Sequence, residues 1–273
     1  MGKIISVSNQ KGGVGKTTTA INLAASMGML GKRVLIIDLD PQGNTTSGLG
    51  FNKKEVQKSS YDVLEKDASP EEATLKTEFK NLDLIPSHIN LAALDAGISL
   101  FSGKESKLKN KISHLKNNYD YIFIDCSPSL GIITINAFCA SDSVLMPIQC
   151  EYYALEGLSQ LINTIKVVKR HHNPNLEIEG ILPTMCDSRL NLTQQVLAEV
   201  NKNFPDKIFK TVIPRSVKVA ESPGFGMPVF YFEKSSRGSE AYIDLAKEIL
   251  TNNGQRSELI WRLNLKKAGL VKG

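Results

Sequence analysis

Residues 11–18 read KGGVGKTT, and the lysine of the ordinary phosphate-loop pattern G-x-x-x-x-G-K-[ST] falls at Lys16. Lys11 is therefore a second, surplus cation at the phosphates. Gly12, Gly13 and Gly15 lack Cβ, so the backbone on either side of Val14 can curl with its N–H groups inward and approach a polyphosphate closely. Lys16 can reach the β and γ phosphates as a point charge, the Thr17 hydroxyl is placed to ligate Mg²⁺, and Thr18 adds a further donor. These residue types at this spacing suit a magnesium nucleotide.

Three aspartates extend the candidate site. Asp125 closes the apolar run YIFID, the pattern of a second nucleotide-site motif whose carboxylate orients Mg²⁺ through its water shell. Asp38 and Asp40 fall within VLIIDLDPQGN. A lone aspartate after a strand is commonly a cap or turn former, but two such strand ends beside a phosphate loop point to one shared cleft. Asp40 can face that cleft and accept a hydrogen bond from an attacking water, orienting it more than deprotonating it. Asp38 is expected to support Mg²⁺ or the loop.

Strands that end together must position these groups. Short β-rich runs at residues 4–8, 34–38, 82–86, 121–125, 144–148, 178–183 and 208–213 are near-continuously apolar, as strands covered on both faces should be. Helical patterns lie between them. Residues 16–30 follow the glycine loop; over 155–172, Leu155, Leu158, Leu161, Ile162, Ile165 and Val168 share one stripe; Leu192, Val196, Leu197 and Val200 form another. The alternation predicts an α/β fold, a doubly wound, mostly parallel β-sheet flanked by helices, with ligands at the carboxyl ends of the strands. Residues 51–81 are polar and weakly patterned, a surface excursion with short helices.

At 273 residues and 41% hydrophobic content the chain can bury a sizeable core. A single ATPase domain is expected over residues 1–250, followed by a basic C-terminal extension over 251–273. The extension holds Arg256, Arg262, Lys266, Lys267 and Lys272 against Glu258, leaving 28 positive and 27 negative side chains on the rest. Any polyanion contact by that near-neutral body must come from a local patch. No apolar stretch approaches the ~20 residues that cross a bilayer, and the N-terminus runs straight into the first strand, so a cytoplasmic protein without signal peptide is expected. Cys126, Cys139, Cys150 and Cys186 form no C-x-x-C pair and are expected to be buried free thiols.

KGGVGKTT with its surplus lysine, IIDLDPQGN, YIFIDCSPSLG and CEYYALEGL closely resemble the deviant Walker-A ATPases, and among them the ParA/Soj chromosome- and plasmid-partition proteins. The similarity covers about residues 1–250, and CEYYALEGLSQL with the IPRSV segment points to the ParA branch. By that resemblance the protein is a Mg²⁺-dependent ATPase, and Lys11 crosses to the ATP of a second copy in a nucleotide-sandwich homodimer. Asp40 matches the water-positioning aspartate, and Pro214 matches a residue near the adenine base. Ser216 departs from the asparagine common in relatives at the base. The resemblance further implies nonspecific double-stranded DNA and a ParB-type centromere-binding protein as partners. It assigns a DNA contact to Arg189, with Arg215, Lys218, Lys234 and Arg237 as neighbours in the patch, and implies a nucleoid-associated location.

Three rival classes share the phosphate loop. A membrane-surface ATPase resembling MinD would use the extension, where Leu259, Ile260, Trp261 and Leu263 are interfacial residue types, yet the apolar stripe lapses at Lys266 and Lys267. A cluster-bridged redox protein resembling the nitrogenase iron protein needs cysteines on cleft-side glycine loops, whereas Cys139 lies in a helical run. A small-substrate kinase or synthetase needs a second constellation of His, Lys or carboxylate groups, which the sequence does not offer.

Overall fold

The apolar runs pair into one seven-stranded sheet of order β3-β4-β2-β5-β1-β6-β7 in a computed structural model that describes residues 1–96, 105–151, 154–187 and 189–254. The strands are β1 (Lys3–Val7), β2 (Val34–Asp38), β3 (Leu75–Lys76), β4 (Leu82–Ile85), β5 (Tyr121–Asp125), β6 (Ser143–Gln149) and β7 (Glu177–Thr184). All pairings are parallel except the short β3–β4 pair at the edge. The doubly wound parallel sheet expected from the sequence is therefore the observed architecture.

Alternate residues of each strand feed two cores, because successive side chains leave opposite faces. Ile4, Leu35, Ile37, Ile122 and Ile124 meet helices Ile132–Ala140 and Ala154–His171 on one face. Ile5, Val7, Val34, Ile36, Tyr121 and Phe123 meet helices Lys16–Met29 and Arg237–Asn252 on the other. Both faces are dry, which is why the strands read as continuous apolar runs.

The polar stretch before β4 folds as short helices, Ser60–Glu65 and Pro70–Ala73, each opened by a serine capping box. It also contributes β3, which the sequence pattern does not reveal.

Two expectations need correction. Residues 208–213 form no regular strand: Ile181 N–H donates to Lys207 O at 2.7 Å and Phe209 N–H to Ile181 O at 2.9 Å, making an isolated bridge between Ile181 and Ile208. The next rung would need an N–H from Pro183, which has none, so the ladder stops. Leu192 is exposed and Thr193 is buried in its place, because Thr193, Val196 and Val200, at i, i+3 and i+7, are the residues that share the inward stripe of helix Asn191–Asn203. The C-terminal extension beyond residue 254 lies outside the described residues.

Candidate functional site

Parallel pairing delivers the strand ends to one edge of the sheet. Val7, after which the phosphate loop begins, is in register with Asp125, and Asp125 with Asp38. The chain turns through Gly13 (φ 74°) and Gly15 (φ 87°), a region costly for side-chain-bearing residues, and enters helix Lys16–Met29 with its free N–H groups facing the loop. Thr184, ending β7, donates its hydroxyl to Val14 O at 2.8 Å and pins the loop to the sheet.

Gly12, Gly13, Gly15, Lys16, Thr17 and Thr18 line one wall of a cleft of 510 Å³. Asp40 and Gln42 lie on another wall, and Pro214, Arg215 and Ser216 on a third. The predicted phosphate, water-positioning and base-side residues are thus gathered in one place. Met185, Val219 and Tyr242 also line the cleft; they come from distant segments and carried no motif.

Charge is concentrated here. Lys16 is buried, its Nζ donates to Lys11 O at 3.0 Å, and burial lowers its pKa against the pull of Asp125 and Asp40. Asp125 is fully buried; its Oδ2 accepts from the Thr17 hydroxyl at 2.8 Å and from the Thr45 hydroxyl at 2.7 Å. Its Oδ1 is buried with no hydrogen-bond partner among the described residues. Burial pushes the Asp125 carboxyl up to about 6, opposed by the two threonine hydroxyls. An orphaned carboxylate oxygen beside the Thr17 hydroxyl is an oxygen donor set of the kind Mg²⁺ takes.

Asp38 also is fully buried, but it does not line the cleft. Its Oδ2 accepts from both the backbone N–H and the hydroxyl of Thr46, at 2.8 and 2.7 Å, and its Oδ1 from Asp40 N–H at 3.2 Å. Burial first, then the charge of Asp125, push its carboxyl up to about 8. Asp38 is thus bonded to the loop that presents Asp40. Asp40 Oδ1 accepts from Gln42 N–H at 2.9 Å, and Ser87 Oγ donates to Asp40 O at 2.5 Å. The supporting roles of Thr45, Ser87 and Thr184 escape sequence reading because Asp125, Asp40 and Val14 are 80, 47 and 170 residues from them, and that of Thr46, eight residues from Asp38, because hydroxyl residues after a strand commonly cap or turn.

Lys11 stands apart from Lys16. It borders a different cavity, shared with Asn9, Val14, Gln149 and Gly157, and its Nζ lies 2.7 Å from Glu151 Oε2. Its backbone N–H donates to Asn9 Oδ1 at 2.9 Å, and Asn9 is itself anchored to Pro147 O at 2.7 Å. Of the neighbouring CEYYALEGL segment, Tyr152 and Tyr153 lie outside the described residues.

The five candidate DNA-contacting cations have different immediate partners. Arg189 is bound through Nε and Nη2 to Asp187, at 2.9 and 2.6 Å, and these bonds push the Asp187 carboxyl down to about 2. Arg215 lines the cleft that also holds Lys16 and Asp40. Lys218 pairs with Glu221 at 3.0 Å and lies 5.5 Å from the Phe232 ring centroid, and Lys234 lies 5.9 Å from that of Phe230. Arg237 borders an open cavity with Cys186, Lys210 and Asp244. No helix among the described residues is long and apolar enough to cross a membrane.

A family model described as an AAA domain matches residues 2–178. The chain is similar to the sporulation initiation inhibitor protein Soj of Bacillus subtilis, 54% identical over 252 residues that span 92% of this chain and all of that protein. It is likewise similar to the chromosome partitioning protein ParA of Myxococcus xanthus, 46% identical across 94% of this chain and 91% of that one. Among solved structures, a cobyrinic acid a,c-diamide synthase from Mycobacterium smegmatis, with ATP analogue and magnesium bound, superposes with TM-score 0.82 at 34% identity, covering 92% of this chain and 95% of the other.

Proposed function

The chain belongs to the ParA/Soj family of partition ATPases, and from that premise we propose that it is an ATP-timed switch in DNA segregation. ATP with Mg²⁺ would join two copies into a sandwich homodimer, and the dimer would bind double-stranded DNA without sequence preference. A ParB-type centromere-binding protein would stimulate hydrolysis and release. Residues 1–250 would be the ATPase unit of a cytoplasmic, nucleoid-associated protein.

One observation carries this reading: the two lysines of the phosphate loop border different cavities. Lys16 lines the cleft of its own chain, whereas the Lys11 ammonium, among the described residues, is in a half-exposed ion pair with Glu151. Such a pair contributes about 0–1 kcal/mol, so Lys11 is cheaply released toward the γ-phosphate of a second copy. A cation delivered in trans performs the task of an arginine finger.

The remaining roles in this scheme combine the site's geometry with the family resemblance. Thr17 and Asp125 would hold Mg²⁺, the aspartate through water, and the metal would neutralise charge on the phosphate oxygens. The N–H groups of the loop would take up the phosphates, and Asp40 would orient the attacking water. Pro214 and Ser216 would flank the base. Asp38 would brace the Asp40 loop. Arg189, helped by Arg215, Lys218, Lys234 and Arg237, would meet DNA phosphates, with two weak patches juxtaposed by dimerisation to make one adequate site.

DNA binding measured across salt concentrations with ATP, with ADP and without nucleotide tests the scheme. Binding that requires ATP and falls steeply with salt is expected; binding indifferent to nucleotide would overturn it.

A further inference from the structure

Cys150 and Cys186 are 36 residues apart in the chain, yet their sulfurs lie 3.3 Å from each other. We propose that this pair is an oxidation-sensitive dithiol that closes to a reversible disulfide joining the exits of β6 and β7 when the protein meets a peroxide.

The parallel pairing of β6 with β7 brings the two residues together: Gln149 is in register with Thr184, and the cysteines follow these two residues by one and two positions. Both sit just past the regular strands, where the backbone can absorb the roughly 1.3 Å approach that a sulfur–sulfur bond of about 2.05 Å requires. They are not sealed in. Each keeps 8% of its surface exposed, and Cys186 borders an open cavity of 640 Å³. Cys126 and Cys139 differ on both counts. They are 1% and 0% exposed, and neither has a thiol neighbour among the described residues.

The hydrogen bond between the two sulfurs lowers the pKa of the Cys150 thiol, so Cys150 is the better nucleophile. Its thiolate attacks one oxygen of hydrogen peroxide, giving a sulfenic acid and releasing hydroxide. The Cys186 sulfur then displaces the sulfenic oxygen and loses its proton, forming the disulfide and water. Overall two thiols are oxidised by two electrons, and one peroxide becomes two waters. A small dithiol reverses the change by exchange. In a reducing compartment such a pair rests as thiols, and a transient bridge is the form that disulfides take there.

The bridge would tie the loop bearing Glu151, the partner of Lys11, to the loop bearing Asp187 and Arg189. Its formation does not depend on the function proposed above.

The test treats the intact chain with hydrogen peroxide, then alkylates it with iodoacetamide in denaturant and digests it for mass spectrometry. Four alkylated cysteines are expected before oxidation, two afterwards together with a linked Cys150–Cys186 peptide, and four again after dithiothreitol. Retention of four free thiols, or oxidation that yields Cys126 or Cys139 products and no linked peptide, would overturn the proposal. The wild-type result decides without any variant. Cys186→Ser adds a second check, since it should leave Cys150 as a sulfenic acid trapped by dimedone, and the absence of that adduct also counts against the pair.

Discussion

The Lys11 ammonium lies 2.7 Å from the Glu151 carboxylate, in a cavity other than the cleft lined by Lys16. Two cations five residues apart on one loop therefore serve different places. Lys11→Ala should keep nucleotide affinity within a few fold while abolishing ATP-dependent dimerisation and lowering hydrolysis by about 10³-fold, the scale of an arginine finger. Equilibrium nucleotide titration with light scattering separates the two effects. Normal dimerisation and turnover in the variant would sink the trans-acting role.

Lys16 is buried between Asp125, Asp40 and the loop carbonyl of Lys11. Lys16→Ala should weaken ATP binding by at least about 100-fold, or about 2.7 kcal/mol. A fluorescent nucleotide titration reads the loss directly, and affinity near that of the wild type would refute the assignment.

Asp40 lines the cleft on a loop fixed by Ser87, Gln42 and Asp38. Asp40→Ala should leave ATP bound but lower kcat by about 10²- to 10³-fold, leaving the dimer persistently on DNA. Single-turnover hydrolysis at the normal rate would show that the water is oriented by another group.

Asp38 keeps its proton to about pH 8 in the fold, whereas an unfolded aspartate gives it up near 3.8. The folded state binds the extra proton between those values, so this carboxyl's contribution to stability is fully present below about pH 4 and is lost as pH rises toward 8. Asp38→Asn should flatten the fall in nucleotide-free Tm between pH 5 and 8. An unchanged slope in the variant would place the proton elsewhere in the carboxylate cluster.

Arg189 is exposed and paired with Asp187, an ion pair that DNA phosphates can replace. Arg189→Glu should remove DNA binding and spare ATP-dependent dimerisation. A conservative Arg189→Lys should retain binding with a salt slope close to that of the wild type. DNA affinity of the Glu variant equal to the wild type would eliminate this contact.

Much of the site was legible in the sequence because its signals are local. A glycine loop between a strand and a helix, and aspartates at strand ends, are fixed by a few consecutive residues, and the structure gathers Gly12, Gly13, Gly15 to Thr18, Asp40, Pro214 and Ser216 into one cleft while Val14 borders the cavity of Lys11. The alternation of apolar strands and amphipathic helices likewise determined the parallel sheet, since each strand must be dry on both faces. Tertiary structure decided what depends on registry between distant segments. That Asp38 braces a loop while Asp40 faces the cleft, that Thr45 and Thr17 share one oxygen of Asp125, and that Pro183 ends a ladder which apolar content alone would continue are set by pairing across the sheet. The same registry brings Cys150 onto Cys186 and gives Lys11 a partner 140 residues away. Composition can supply such groups, but only the folded chain selects which of them meet.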